Sequence, residues 1–143
     1  MNPADVPDGP LVVDTDVASW IRAGHQRAEP FKPLLRDHVL CLSFATVAEL
    51  WAGAENAGWG QARRDGLEAF GRAHVVLPVD EAVTRFWARI HAAVRDQVDV
   101  NDEWTAACAL AQTPSLGVVT GNLKHFRPIA TRFPALTIVH PDE

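Results

Sequence analysis

The chain has 143 residues, 48% of them hydrophobic and 22% charged, which suits one globular domain with a core of its own. No apolar run reaches the length of a membrane span, and the opening MNPADVPDGP has neither a basic region nor an apolar stretch, so no secretory signal is expected. The formal net charge of −5 argues against broad, passive nucleic-acid binding. It leaves room for a nuclease, because a bound divalent cation reverses the local sign where a phosphate must sit.

Residues 1–10 are polar and hold Pro3, Pro7 and Pro10, which reads as a flexible N-terminal arm. The first buried strand is LVV (11–13), followed by a helical pattern in TDVASWIRAG and a short one in FKPLLRDH. HVLCL (38–42) is a second strand. SFATVAELWAGAENAG then reads as a helix with Ser43 as N-cap and a glycine near its end. QARRDGLEAFGRA is a weaker helical pattern and VVLP (75–78) a third strand. DEAVTRFWARIHAAVRDQ is the clearest helix, with Val83, Phe86, Trp87, Ile90 and Val94 on one apolar face. NDEWTAACALAQ follows, capped by Asn101 and ending before Thr113-Pro114; LGVVT (116–120) and LTIV (136–139) complete the strands.

These strands are rich in Val and Leu with little polar alternation, the pattern of a parallel sheet covered on both faces. Strands alternating with helices predict a three-layer α/β fold with right-handed crossovers. A single domain is expected over 11–140, with 141–143 as a tail. Cys41 and Cys108 lie in apolar surroundings and read as buried free thiols, which fits a reducing cytoplasm.

Three acidic residues do not fit their surroundings. Asp14 stands at the carboxyl end of the first strand, where open parallel sheets gather their chemistry, although Asp14 and Thr15 also suit a helix start. Glu49 is the only charge in SFATVAELWAG, flanked at helical spacing by Ala45, Ala48 and Ala52. Asp102 shares a face with Thr105, Ala106 and Ala109. Brought to one sheet edge, three carboxylates would repel and their pKa values would rise. A hard divalent cation turns the same cluster into a site, since oxygen ligands suit Mg2+ or Mn2+. Such a centre activates water and stabilises the leaving oxygen of a phosphodiester.

Other motifs are missing. There is no zinc-type Cys/His spacing, no phosphate-binding P-loop and no GxSxG. The six histidines are scattered, and His91 reads as packing. DTDV suggests a phosphatase nucleophile and acid, but Ala18 stands where that motif needs Thr or Val.

VVDTDV, ATVAELWAG, VNDEWTAACALA and LGVVTGNLKHF, in that order, resemble a PIN domain. More closely they resemble the VapC-type ribonuclease toxins of bacterial toxin–antitoxin pairs, over about residues 11–140. The resemblance implies a PIN-like three-layer sandwich with a central parallel sheet of about five strands flanked by helices. It also implies a Mg2+- or Mn2+-dependent endoribonuclease. By that resemblance Asp14 and Asp102 hold the metal directly, Glu49 completes the acidic pocket, and Thr15 and Thr120 orient neighbouring groups. A homodimer and a cognate VapB-like antitoxin are further implications; no membrane is.

The chain departs from the family pattern at two places. Asn122 stands where many PIN domains have a fourth acid, with Asp16 and Asp99 nearby as candidates for the further charge. Trp51 and Ala52 replace a pair that is often basic or aromatic. Lys124 and Arg127 are the first candidates for gripping RNA, because they follow the strand that ends near the pocket; Arg22, His25, Arg27, Lys32, Arg63 and Arg64 are further ones. The Asn122 departure also motivates an alternative, a catalytically weak or inactive PIN-like module that binds a protein partner.

Overall fold

Strand β1 is Leu11–Val13, and all three of its residues are buried. In the computed structural model, which describes all 143 residues, β1 lies at the centre of a five-stranded sheet. The other strands are β2 (Leu40–Ser43), β3 (Val75–Leu77), β4 (Gly117–Val119) and β5 (Ile138–Val139). Their order is β3-β2-β1-β4-β5, and every pairing is parallel. The chain runs outward from β1 through β2 to β3, then restarts on the other side of β1 with β4. The crevice for a site in such a sheet lies at this reversal, outside the carboxyl ends of β1 and β4.

Helices cover both faces. One apolar cluster joins Val17 and Ala18 of α1 (Thr15–Ala23) and Leu34 and Leu35 of α2 (Lys32–Leu35) to Leu11, Val13, Leu42 and Val119. The other gathers Val83, Ile90 and Val94 of α5 (Glu81–Val94), the small apolar face of α6 (Val100–Leu110), and Phe126 and Ile129 of α7 (Leu123–Arg132). Between β2 and β3 run α3 (Phe44–Asn56) and α4 (Gln61–Arg72). Ser43 caps α3, its hydroxyl accepting the Thr46 N–H at 3.1 Å. No helix is long and apolar enough to cross a membrane. Cys41 and Cys108 are buried free thiols, and burial pushes the Cys108 thiol up to about 12.

Four local readings are corrected. The first ten residues are not a loose arm: the Met1 amine donates to the Pro141 carbonyl at 2.8 Å, Pro3–Asp5 form a 3-10 turn, and Val6 is buried beside Phe31 and Leu34. Val6 anchors the segment, and its prolines leave little backbone freedom to lose on docking. The VVLP strand is not covered on both faces: Val75 and Val76 are 49% and 43% exposed, because β3 is the edge strand. Asp99, rather than Asn101, caps α6, its carboxylate accepting the Asn101 N–H at 2.9 Å. Finally, α7 was not expected from the pattern. Pro128 lies inside it and has no N–H to return to the preceding turn, yet Phe126 and Ile129 hold the helix on the core.

Candidate active site

Strand β1 delivers Asp14 to the crevice. Its backbone N–H donates to the Val119 carbonyl at 2.8 Å, which locks the residue to β4. Asp14 adopts an extended backbone and caps α1, so Oδ1 accepts the Thr15 N–H at 2.7 Å. Oδ2 accepts the Thr120 hydroxyl at 2.9 Å. Helix-start and site readings of this residue therefore describe the same carboxylate, which is 2% exposed.

Asp102 arrives from the first turn of α6 and is 8% exposed. Its Oδ2 lies 2.5 Å from His125 Nδ1 and accepts Asn122 Nδ2 at 3.4 Å. His125 Nδ1 is also 2.9 Å from Asn122 Nδ2. A hydrogen on Nδ1, donated to the carboxylate, is the arrangement that a negative acceptor selects. Glu49 is half-buried on α3, and its Oε1 accepts the Thr15 hydroxyl at 2.8 Å, with the Thr46 hydroxyl 3.1 Å from the same Thr15 oxygen. Behind Thr46, the buried Ser43 and Thr105 hydroxyls lie 3.0 Å apart and join α3 to α6.

Charge records the proximity of these groups. Burial, and next the charge of Asp102, push the Asp14 carboxyl from 3.8 up to about 7, against the bonds from Thr120 and Thr15. Burial pushes Asp102 up to about 6; His125 opposes this, and the charges of Asp99 and Glu49 add to it. Asp16 and Asp99 are exposed. They act on Asp14 and Asp102 only through their fields. Asn122 immediately precedes α7 and holds Asp102 as a donor, while its own N–H donates to the Thr120 hydroxyl at 2.9 Å.

The donor set fits a hard cation in kind: two buried, like-charged carboxylates, with a third carboxylate acting on Asp102. No three acidic, histidine or cysteine side chains stand together as a ready-made ligand cluster. Asp102 Oδ2 is engaged by His125, and Glu49 by Thr15. Asp14 and Asp102 are the residues that would hold a metal ion, with Glu49 on the same rim.

Pattern reasoning overlooked His125. Its signal was its place three residues after Asn122 in NLKHF, one helical turn on. It overlooked the Ser43–Thr105 bridge as well. His91 does pack, stacking on Trp87 at 4.6 Å between ring centroids, but it also meets the fully buried Glu103, with Nδ1 2.8 Å from Oε2. Trp87 stacks in turn on Trp104 at 4.7 Å.

The basic candidates divide. Lys124 is exposed and makes no salt bridge. Arg127 is held by Glu143, with Nε and Nη2 at 2.8 and 2.5 Å from the same oxygen. Lys32 pairs with Glu29 and Arg64 with Glu55. Arg22 and Arg63 lie over Trp59, and Arg27 over Trp20.

The family profile of the PIN domain matches residues 11–124. No curated protein sequence matches the chain. Among solved structures, the chain is similar to VapBC2 from Rickettsia felis bound to a DNA fragment from their promoter. There the TM-score is 0.72 at 18% identity, covering 90% of this chain and 96% of that one. It is also similar to DNA-bound VapBC from Salmonella typhimurium, with TM-score 0.66, 27% identity and 91% and 96% coverage. VapBC-5 from Mycobacterium tuberculosis, of the VapBC family of toxin-antitoxin systems, gives 0.63, 25%, 94% and 99%.

Proposed function

The chain belongs to the PIN-domain family, and from that premise we propose that it is a VapC-type, metal-dependent endoribonuclease toxin. It hydrolyses RNA phosphodiester bonds with Mg2+ or Mn2+, acts in the cytoplasm as a homodimer, and is neutralised by a cognate VapB-like antitoxin. The PIN unit is taken as residues 11–140. The observation that carries this reading is the buried pair Asp14 and Asp102, both pushed far above the usual carboxylate range at the carboxyl ends of the sheet. Two such groups without a counter-cation oppose each other's ionisation.

Asp14 and Asp102 would hold the cation, and Glu49 would complete the acidic rim. A divalent ion bound there supplies an activated water and charge stabilisation for the leaving oxygen. The chain's own groups do the positioning. Thr120 and the Thr15 N–H orient the Asp14 carboxylate, the Thr15 hydroxyl orients Glu49, and His125 and Asn122 orient Asp102. Lys124, exposed in the first turn of α7, offers a free cation to the RNA backbone. The antitoxin reading draws on the VapBC pairs of the same fold.

One observation favours a second reading, an inactive PIN-like protein-binding module: Asn122 meets Asp102 as an uncharged donor where the family pattern often has a fourth acid. Incubation of the purified protein with structured RNAs separates the two. The nuclease reading expects cleavage with Mn2+ or Mg2+ that chelation abolishes and that Asp14→Asn or Asp102→Asn reduces by at least a hundredfold. Absence of metal-dependent cleavage across a broad RNA set would overturn the nuclease reading.

A further inference from the structure

A cavity of about 290 Å3 lies beside the acidic site and shares a wall with it. Trp20, Arg27, Phe31, Gly121, His140 and Asp142 line it. Gly121 is the shared wall: the preceding Thr120 bonds to Asp14, and the following Asn122 bonds to Asp102. A methyl group placed on Gly121 would lie 2.7 Å from Cη2 and 3.0 Å from Cζ3 of Trp20. Glycine is what lets the indole lie directly against the backbone between two site residues.

The lining has a definite chemistry. Trp20 and Phe31 have ring centroids 6.0 Å apart, and His140 meets Phe31 edge-on at 5.5 Å. The Arg27 guanidinium carbon is 5.7 Å from the Trp20 ring centre, and Arg27 has no salt-bridge partner. His140 Nδ1 accepts the Asp142 N–H at 3.0 Å. Because Nδ1 accepts, a neutral ring carries its hydrogen on Nε2 as a donor, and burial, foremost, favours that neutral form by holding the imidazole below its ordinary range. Asp142 adds a carboxylate acceptor.

Aromatic walls, a forked cation, one neutral donor and one acceptor suit a planar heterocycle with hydrogen-bonding edges. The volume is large enough for such a ring system. We propose that this cavity is a nucleobase subsite, taking one unpaired base of the RNA beside the phosphodiester presented to Asp14 and Asp102. The proposal rests on the ribonuclease reading for its substrate. A peptide side chain is the other occupant to test against.

Binding of each nucleoside 5′-monophosphate tests it without metal or cleavage. The indole N–H resonance of Trp20, assigned through Trp20→Phe, reports on the cavity, and that of Trp59 serves as control. At least one mononucleotide should shift Trp20 at millimolar concentration and leave Trp59 in place, while inorganic phosphate does not shift it. Arg27→Ala, at an exposed position that leaves the core intact, should weaken that binding about tenfold, and Gly121→Ala should do the same by driving the indole into the cavity. No Trp20 response to any mononucleotide, equal response to phosphate alone, unchanged affinity in both variants, or occupation only by antitoxin peptide would each overturn the subsite. If RNA is cleaved but no base binds, the subsite falls and the nuclease stands. If bases bind but no RNA is cleaved, the nuclease reading falls and the cavity remains a base site.

Discussion

The Thr120 hydroxyl donates to Asp14 Oδ2 at 2.9 Å while accepting the Asn122 N–H at 2.9 Å. Its one hydrogen is thereby committed to the carboxylate, and two site residues from opposite ends of the sequence share a single oxygen atom. Thr120→Val keeps the shape and removes both bonds. It should cost about 1–3 kcal/mol in urea unfolding, because two buried polar groups lose their partner. The Asp14 carboxyl, followed by carbon-detected NMR titration, should rise above its value of about 7. Thr120→Ser should restore both measurements.

Asp14 makes stability depend on pH in a definite direction. Its carboxyl moves from 3.8 to about 7 on folding. Between about pH 4 and pH 7 the folded chain keeps a proton that the unfolded chain has released, so stability falls as pH rises through that window. In EDTA at pH 7.5, Asp14→Asn should therefore be more stable than wild type by about 1–3 kcal/mol, and the gap should narrow at pH 5 and close only below about pH 4. Asparagine also retains the helix-capping oxygen. An Asp14→Asn protein that is less stable at both pH values would rule out the carboxylate as the source.

Metal should act in the opposite sense. A cation binds the ionised carboxylates, so the rise in melting temperature produced by Mn2+ should be small at pH 5 and large at pH 8. Asp102→Asn should abolish the rise at both values. Differential scanning fluorimetry with matched ionic strength reads this directly.

Glu103 tests a purely structural carboxylate next in sequence to Asp102. It is fully buried and meets His91 at 2.8 Å, and burial raises its carboxyl. Glu103→Ala should cost about 2–3 kcal/mol by leaving buried space beside the His91–Trp87–Trp104 stack. Glu103→Gln should cost less than half of that. Chemical denaturation distinguishes the two.

Lys124 and Arg127 follow the same strand but differ in availability. Arg127 is occupied by Glu143, whereas Lys124 makes no ion pair. Anisotropy with labelled RNA should show Lys124→Ala weakening binding several-fold and Arg127→Ala hardly at all. Glu143→Gln should tighten binding by releasing Arg127. All three surface changes should leave stability within about 1 kcal/mol of wild type.

The fold was legible because its strands are short apolar runs, and those of β1, β4 and β5 face no water. Val12 and Val118 read as buried on composition alone, and they are. The edge position of β3 was not legible, since Val75 and Val76 carry the same side chains as the covered strands. Helix α7 was hidden by Pro128, a local signal that packing by Phe126 and Ile129 overrides. In the site, Asp14 and Asp102 stood out as charges in apolar surroundings. His125 did not, because a histidine on a polar helix turn looks like solvent-facing surface until the neighbouring helix brings Asp102 to it.

The parallel pairing of β1 with β4 has a consequence for synthesis. Asp14 is made early, but the hydroxyl that orients it and the strand that locks its backbone come from residues 119 and 120. Asp102 and its partners at 122 and 125 also come late. A nascent chain has no assembled site until residues 119 to 125 have left the ribosome's exit tunnel. The order of translation thus delays the acidic centre until the whole sheet is ready to form, and a chain cut short before β4 carries Asp14 without the groups that orient it.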